Sequence, residues 1–461
     1  MTIKIVLAVL ALALAAGLTL GAALDVSQAW DVWSYHLPFA ARIVGMSDPS
    51  TYAFSADNEA RFAGFPLVAE ALQGVLWRVS GRPESANFVA LLSLFGLVTY
   101  LFRVHAVPPA VGLLALVAIP LVQTHAAAGY IDLPANVCAA LLLLTTYQAL
   151  VRRDPVPLRL VLQAALFAAL AANMKFQMLP AVVLGLGALF ACAVLRRGPG
   201  AMGTKRTLLV FAAALPIVFA TPIKNVVRYH NPVWPEEVHV LGVDFPHLEE
   251  AYASSPAYLE HASRPRRFAW SLFEVGLPPI ASQRRWSIDQ YTPPSEPGYR
   301  MGGYFGAYVG LHLAALIGAA SRRRSREATM ALLGVGAVTL VTCALPQSHE
   351  LRYYLYWMLL LVSVNLALWA GSAPRLTGLI AAGACAIVLW GTSARYVHPS
   401  GDSFAALLAR RVDRSIVERA ADGERICVAR EPWTFLYART FHPHLARYTV
   451  QEATSEAACA R

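Results

Sequence analysis

Long apolar runs alternate with clusters of arginine along this chain, and that alternation limits its possible folds more than any motif does. The runs lie near 3–24, 86–104, 108–123, 133–151, 158–173, 177–195, 207–223, 302–320, 328–345, 353–371 and 376–392. A hydrocarbon core about 30 Å thick takes roughly 20 apolar helical residues to cross, and backbone in lipid must satisfy its own hydrogen bonds, so such runs read as membrane-spanning helices. The composition agrees, with 57% hydrophobic and 14% charged residues where a soluble domain carries about 25% charged. The expected fold class is an all-α polytopic membrane protein, a bundle of about 11 transmembrane helices. The first run lacks a convincing A-x-A cleavage site followed by a soluble region and is read as a retained helix; a signal peptide is the weaker alternative.

Lys and Arg collect in cytoplasmic loops. With the N-terminus inside, those loops hold Arg103, Arg152 and Arg153, then Arg196, Arg197, Lys205 and Arg206, then Arg322, Arg323, Arg324 and Arg326, and finally Arg375. Of the 28 acidic residues only Asp154 and Glu327 fall on that side. An odd number of spans leaves the C-terminus outside. The net charge of +10 is thereby explained by topology and by anionic lipid headgroups, and no nucleic-acid partner is expected. The expected organisation is a membrane domain over 1–392 with outer loops 25–85 and 224–301, followed by a small extracytoplasmic α/β segment over 393–461, where "ERICVAR" reads as a strand. Cys427 and Cys459 fall in that segment, free to pair in an oxidising compartment. The other four cysteines sit in apolar helices as small packing residues.

The polar chemistry collects on the outer face. The first outer loop carries Asp31 in "DVWSYHLP" and then "RFAGFPLVAEALQGVLWRVSG". Residues 65–79 have helical spacing but include Glu70 and Arg78, and counting them as a span would invert the topology, so they read as a helix lying in the interface. Short outer turns carry Asp132 in "GYIDLP", Lys175 in "ANMKFQMLP", and His349, Glu350 and Arg352 in "SHELRYY". One such group ordinarily anchors a helix end; several converging at one membrane face are a functional hypothesis. The second loop places Lys224 and Arg228 at a membrane boundary and pairs Arg266 with Arg267 and Arg284 with Arg285. Clustered cations of this kind suit phosphate oxygens, with snorkelling side chains as the plain alternative. Most histidines also fall on or near this face, yet none shows the spacing that fixes a metal.

Four stretches run in an order that resembles the GT-C superfamily of integral-membrane glycosyltransferases, including its bacterial mannosyl and aminoarabinose members. They are "DVWSYHLP", "GYIDLP", "IKNVVRYHNPVWP" and "LRYYLYWMLLL". The third is similar to an R-x-x-x-x-G-N-P-x-x-P segment, with His230 where glycine is common. The resemblance implies a GT-C-like bundle with juxtamembrane helices on its outer face, in the bacterial inner (plasma) membrane. It implies a polyprenyl-phosphate-linked sugar donor, a lipid, glycan or protein acceptor, and inversion at the sugar. Asp31 and Asp132 are then the catalytic candidates, Asp31 as general base or acceptor-positioning carboxylate. Lys175, Lys224, Arg228 and Arg352 are candidates for the donor phosphate, and Tyr35, His36, Glu70, His349 and Glu350 for the acceptor or interface. A divalent cation, Mg or Mn, would take Asp31 and Asp132 as ligands. Two departures stand out: the first-loop motif has one acidic residue where many members have a pair, and Phe65 precedes Pro66 where some members carry a charge.

The chemistry fits these residue types. Transfer to a hydroxyl needs a group to take its proton and passes through an oxocarbenium-like state, while a leaving lipid phosphate needs cations in a partly dehydrated site. A transporter or lipid-carrier flippase is the rival reading, but it predicts sequence repeats and midplane polar groups, which this sequence does not present. A catalytically inactive assembly subunit is a third.

Overall fold

The structure is a computed structural model and describes all residues except 1, 197–203, 241, 251–260, 274–302, 324, 371–372, 454, 456–458 and 460–461. In chain order the helices are α1 (Thr2–Leu24), α2 (Leu37–Ile43), α3 (Ala56–Gly64), α4 (Val68–Ser80), α5 (Phe88–His105), α6 (Pro109–Val117), α7 (Pro120–Ala126), α8 (Asp132–Val151), α9 (Leu158–Ala172) and α10 (Leu179–Leu195). They continue as α11 (Thr204–Val218), α12 (Ala220–Tyr229), α13 (Arg264–Phe273), α14 (Gly306–Arg323), α15 (Arg326–Ala344), α16 (Leu355–Trp369), α17 (Pro374–Gly391), α18 (Phe404–Arg411) and α19 (Arg414–Glu418).

Every expected run forms helix over its described residues, but a count of 11 spans is not confirmed. Among the described residues seven helices are long and apolar enough to cross a membrane, or nine if the bent pairs α6–α7 and α11–α12 each count as one span. The bend is 100° in the first pair, where Pro120 opens α7, and 62° in the second, as expected where proline cannot continue the backbone ladder. Of the remaining two, α9 is only 15 residues long and α14 ends on Ser321, Arg322 and Arg323. The outside of the bundle is apolar, with Val9, Leu12, Val183, Leu340 and Leu376 exposed, the surface a lipid-facing bundle presents. Helices α8 and α16 run through its centre and are almost wholly buried.

Residues 68–80 form α4, which at 13 residues is too short to span. Its buried face carries Glu70, Gln73, Gly74 and Trp77 while Leu72, Val75 and Val79 point away from the protein. That inside-out pattern suits a helix with lipid on its apolar side. Gly74 lets α2 approach, since a Cβ there would stand 2.5 Å from the Ala40 carbonyl. Gly81, in the left-handed region at φ 71°, ends the helix.

The tail packs back onto the loop that follows α1. Strand β1 (Tyr52–Ala53) of that loop, β4 (Arg425–Val428) and β5 (Thr449–Glu452) form a parallel sheet in the order β1-β5-β4, with Tyr52 opposite Val450 and Ile426 opposite Val450 on the other side. A separate two-stranded ribbon, β2 (His239–Val240) with β3 (Val243–Asp244), lies in the second loop. One apolar core draws on both loop and tail: Trp33 stacks on Phe404 at 6.0 Å and also meets Trp433 and Phe441, while Tyr52 meets Phe435 at 4.9 Å. Cys427 and Cys459 are joined in a disulfide.

Candidate active site

Asp31 opens a π-helical turn, Val32–His36, whose Leu37 N–H donates to the Val32 carbonyl five residues back. Such turns are uncommon and concentrate at functional sites. Asp31, Tyr35 and His36 all line a cavity with about 1160 Å³ of empty space, including the part open to solvent. Glu70 of α4, Lys175 between α9 and α10, Glu236 and Glu237 of the second loop, and Tyr353 ahead of α16 complete its polar wall.

Two ion pairs organise this wall. Arg352 Nη1 donates to Asp31 Oδ2 at 3.0 Å, and Lys175 Nζ donates to Asp132 Oδ1 at 2.5 Å. Asp132, 1% exposed, sits at the start of the central helix α8. Tyr353 ties the pairs together: its ring lies 4.5 Å from Lys175 Nζ and 4.9 Å from the Arg352 guanidinium, within cation–π range. Asn136, one turn along α8 from Asp132, donates to the Arg352 and Asp132 carbonyls and accepts from the Tyr356 N–H. The backbone that carries Arg352 is thus pinned to the helix that carries Asp132.

His36 and Glu70 form a second, buried unit, with Nδ1 and Oε1 2.8 Å apart and Glu70 Oε2 without a partner among the described residues. Burial pushes the Tyr35 phenol well above its ordinary value, and the Asp31 charge adds to the effect. At the rim, burial and the neighbouring Glu249 raise Glu236 to about 7, against the opposing pull of Arg61. Burial likewise raises Glu350, against the pull of Arg352.

The sequence-derived candidates divide accordingly. Asp31, Tyr35, His36, Glu70 and Lys175 meet at the cavity, with Asp132 and Arg352 paired to its members. Glu350 and His349 are buried just ahead of Arg352 and are not among the lining residues. Lys224 donates instead to the Ala63 carbonyl at 2.6 Å, and Arg228 is exposed on α12; the structure puts neither on the cavity wall. Their helix serves the loop that follows. His230 ends α12 at φ 57°, a left-handed position that favours glycine. Asn231 then braces the loop through the Val233 N–H and the Glu236 and Pro246 carbonyls. Arg267 donates to the Ala262 carbonyl and Arg266 is exposed, while Arg284 and Arg285 lie outside the described residues. For a divalent cation the donors are few: Asp31 and Asp132 each hold a basic side chain, and no group of three or more His, Cys, Asp or Glu among the described residues is placed to hold a metal. The residues present fit two ion pairs rather than a bound Mg or Mn.

No family model and no curated protein sequence matches this chain. A solved structure does: ArnT from Cupriavidus metallidurans bound to undecaprenyl phosphate, at 13% identity and a TM-score of 0.52, over 97% of this chain and 89% of that one. Over that length this chain shares the fold of that structure.

Within this fold, several residues that position the cavity carry no warning in the sequence. Glu452 of β5 accepts from Asn58 Nδ2 with both oxygens at 2.9 Å and from the Ser55 N–H, while Asn58 also donates to the Ser34 carbonyl inside the π turn. The end of the chain therefore holds the turn of Asp31. Arg61 grips Glu249 through two hydrogen bonds of 2.7 and 2.6 Å and joins the two outer loops. Only Asn136 left a trace, since a polar residue four positions after Asp132 shares its helix face.

Proposed function

We propose that this chain transfers a sugar from a polyprenyl-phosphate donor to a hydroxyl acceptor at the outer face of the bacterial inner membrane, with the N-terminus cytoplasmic and the tail outside. The observation that carries this reading is the cavity at one end of the bundle, where the Asp31 carboxylate stands beside the cations Lys175 and Arg352. The likeness to a structure holding a lipid phosphate lends support. In this reading the donor phosphate enters between Lys175 and Arg352, exchanging part of their pairing with Asp132 and Asp31 for its own oxygens. Those cations then stabilise the charge that develops as the sugar leaves. Asp31 anchors the acceptor hydroxyl against the anomeric carbon. Attack from the face opposite the phosphate inverts that carbon.

The test is transfer by the purified protein from a panel of radiolabelled polyprenyl-phosphate hexoses and pentoses. Asp31→Asn keeps the shape and removes the charge; it is expected to fold, retain unlabelled polyprenyl phosphate and lose about 10²–10⁴ of the transfer rate. Near wild-type transfer by this variant would remove Asp31 from the site. A wild-type protein that moves lipid across vesicles while forming no glycosidic bond would overturn the enzyme reading in favour of a flippase.

A further inference from the structure

We infer that His36, oriented by Glu70, is the base that takes the proton of the acceptor hydroxyl. The inference rests on the glycosyl-transfer reading and names the proton acceptor that reading leaves open. It starts from the π turn. In an α-helix the residues standing over Asp31 would be Ser34 and Tyr35, three and four positions on. The five-residue repeat, closed by Leu37 N–H donating to Val32 O, brings His36 onto the Asp31 side instead, and both side chains line the same cavity.

Glu70 supplies the second half of the device. A carboxylate 2.8 Å from Nδ1 accepts a hydrogen bond from Nδ1–H, which fixes the tautomer with the lone pair on Nε2 and stabilises the imidazolium once it forms. Among the described residues Glu70 Oε2 is buried without a partner, a costly arrangement that calls for a reason. Asp31 already accepts from Arg352, which suits it to hold an acceptor in place. An imidazole titrates about 2.5 pH units above an aspartate and is the better match to a neutral working pH.

The step balances as follows. The acceptor oxygen forms its bond to the anomeric carbon as the bond from that carbon to the phosphate oxygen breaks. The polyprenyl phosphate leaves with the electron pair, its charge met by Lys175 and Arg352. The hydroxyl proton passes to His36 Nε2, and later to water at the cavity mouth. The charged or titratable groups facing His36 are Asp31 and Tyr35 on its own turn, Glu70 on α4, Lys175 before α10, Glu236 and Glu237 of the second loop, and Tyr353 ahead of α16.

The experiment follows transfer by the full-length protein from the same radiolabelled donor panel between about pH 5 and pH 9. His36→Ala is expected to retain unlabelled polyprenyl phosphate, lose about 10²–10⁴ of the rate and regain part of it with added imidazole. Glu70→Gln, which keeps the ring in place but removes the charge, is expected to shift the acid side of the rate profile to lower pH and to slow transfer on the order of 10²-fold. Glu236→Gln is expected to leave that acid side where it is. The inference falls if His36→Ala transfers at the wild-type rate, if imidazole restores nothing to folded His36→Ala, or if the acid side moves with Glu236→Gln and not with Glu70→Gln. Should His36→Ala fail to fold, the Glu70→Gln profile alone decides. A wild-type protein inactive on every donor fails the transfer reading itself, whereas an active wild type with an equally active His36→Ala fails only the base assignment.

Discussion

The two ends of the bundle use arginine differently. At the end away from the cavity, Arg196 donates to the Ala149, Leu150 and Arg152 carbonyls, and Arg326 donates to the Leu150 and Arg152 carbonyls. These side chains cap the last turn of α8, where free carbonyls and the negative end of the helix dipole attract cations. At the cavity end, Arg352 and Lys175 meet carboxylates on other elements, and Lys175 lines the cavity together with Asp31, the partner of Arg352. Clustered arginines are thus found at both ends, and the partner each cation takes is what distinguishes the ends. The same charge serves as a helix cap at one end and as the partner of a carboxylate beside a cavity at the other.

The largest effect that would sharpen this contrast is at Lys175. Lys175→Ala leaves Asp132 charged and unpaired in a position that is 1% exposed, and breaking a buried pair from one side costs about 3–5 kcal/mol. The unfolding temperature in detergent should drop markedly and donor use should vanish. Lys175→Met combined with Asp132→Leu removes both charges and is expected to restore the unfolding temperature without restoring transfer. If the double variant regained transfer, the cavity-end pair would be no more than a helix anchor, like its counterparts at the other end. A smaller effect is expected at the tail. Asn58→Ala and Glu452→Gln each weaken the link to the Ser34 carbonyl, so transfer should fall about tenfold with a stability loss of about 1–2 kcal/mol; unchanged transfer would show that the π turn holds its shape without the tail. The smallest is at the far end, where Arg326→Ala should cost about 1 kcal/mol and leave transfer per folded molecule within about twofold. A large loss of transfer there would break the contrast.

Much of the bundle was legible before any coordinates, because a spanning helix is a property of about 20 consecutive residues. The apolar runs are helical over their described residues, and Asp31, Asp132, Lys175 and Arg352 do gather at one end. The failures have local causes too. The runs at 108–123 and 207–223 contain a sharp bend that hydropathy averages away, and α12, read as a phosphate-facing boundary, instead sends Lys224 to the Ala63 carbonyl. The tail at 393–461 reads as a separate small unit, yet its strands flank β1 of the first loop and its aromatic rings enclose Trp33.

The sequence by itself determined the membrane class, the alternation of charged ends and the order of the motifs, since hydropathy and charge are carried by residues close together in the chain. Only the tertiary structure decided which cation meets which carboxylate, because Asp31 and Arg352 are 321 residues apart and their contact depends on which helix ends the packing of α8 and α16 brings together. It also decided the facing of His36. A change from a four-residue to a five-residue repeat rotates a side chain around the helix without altering a single letter of the chain, and the turn is braced from elsewhere by Phe404 stacked on its Trp33 and by Asn58, which donates to the Ser34 carbonyl and to Glu452.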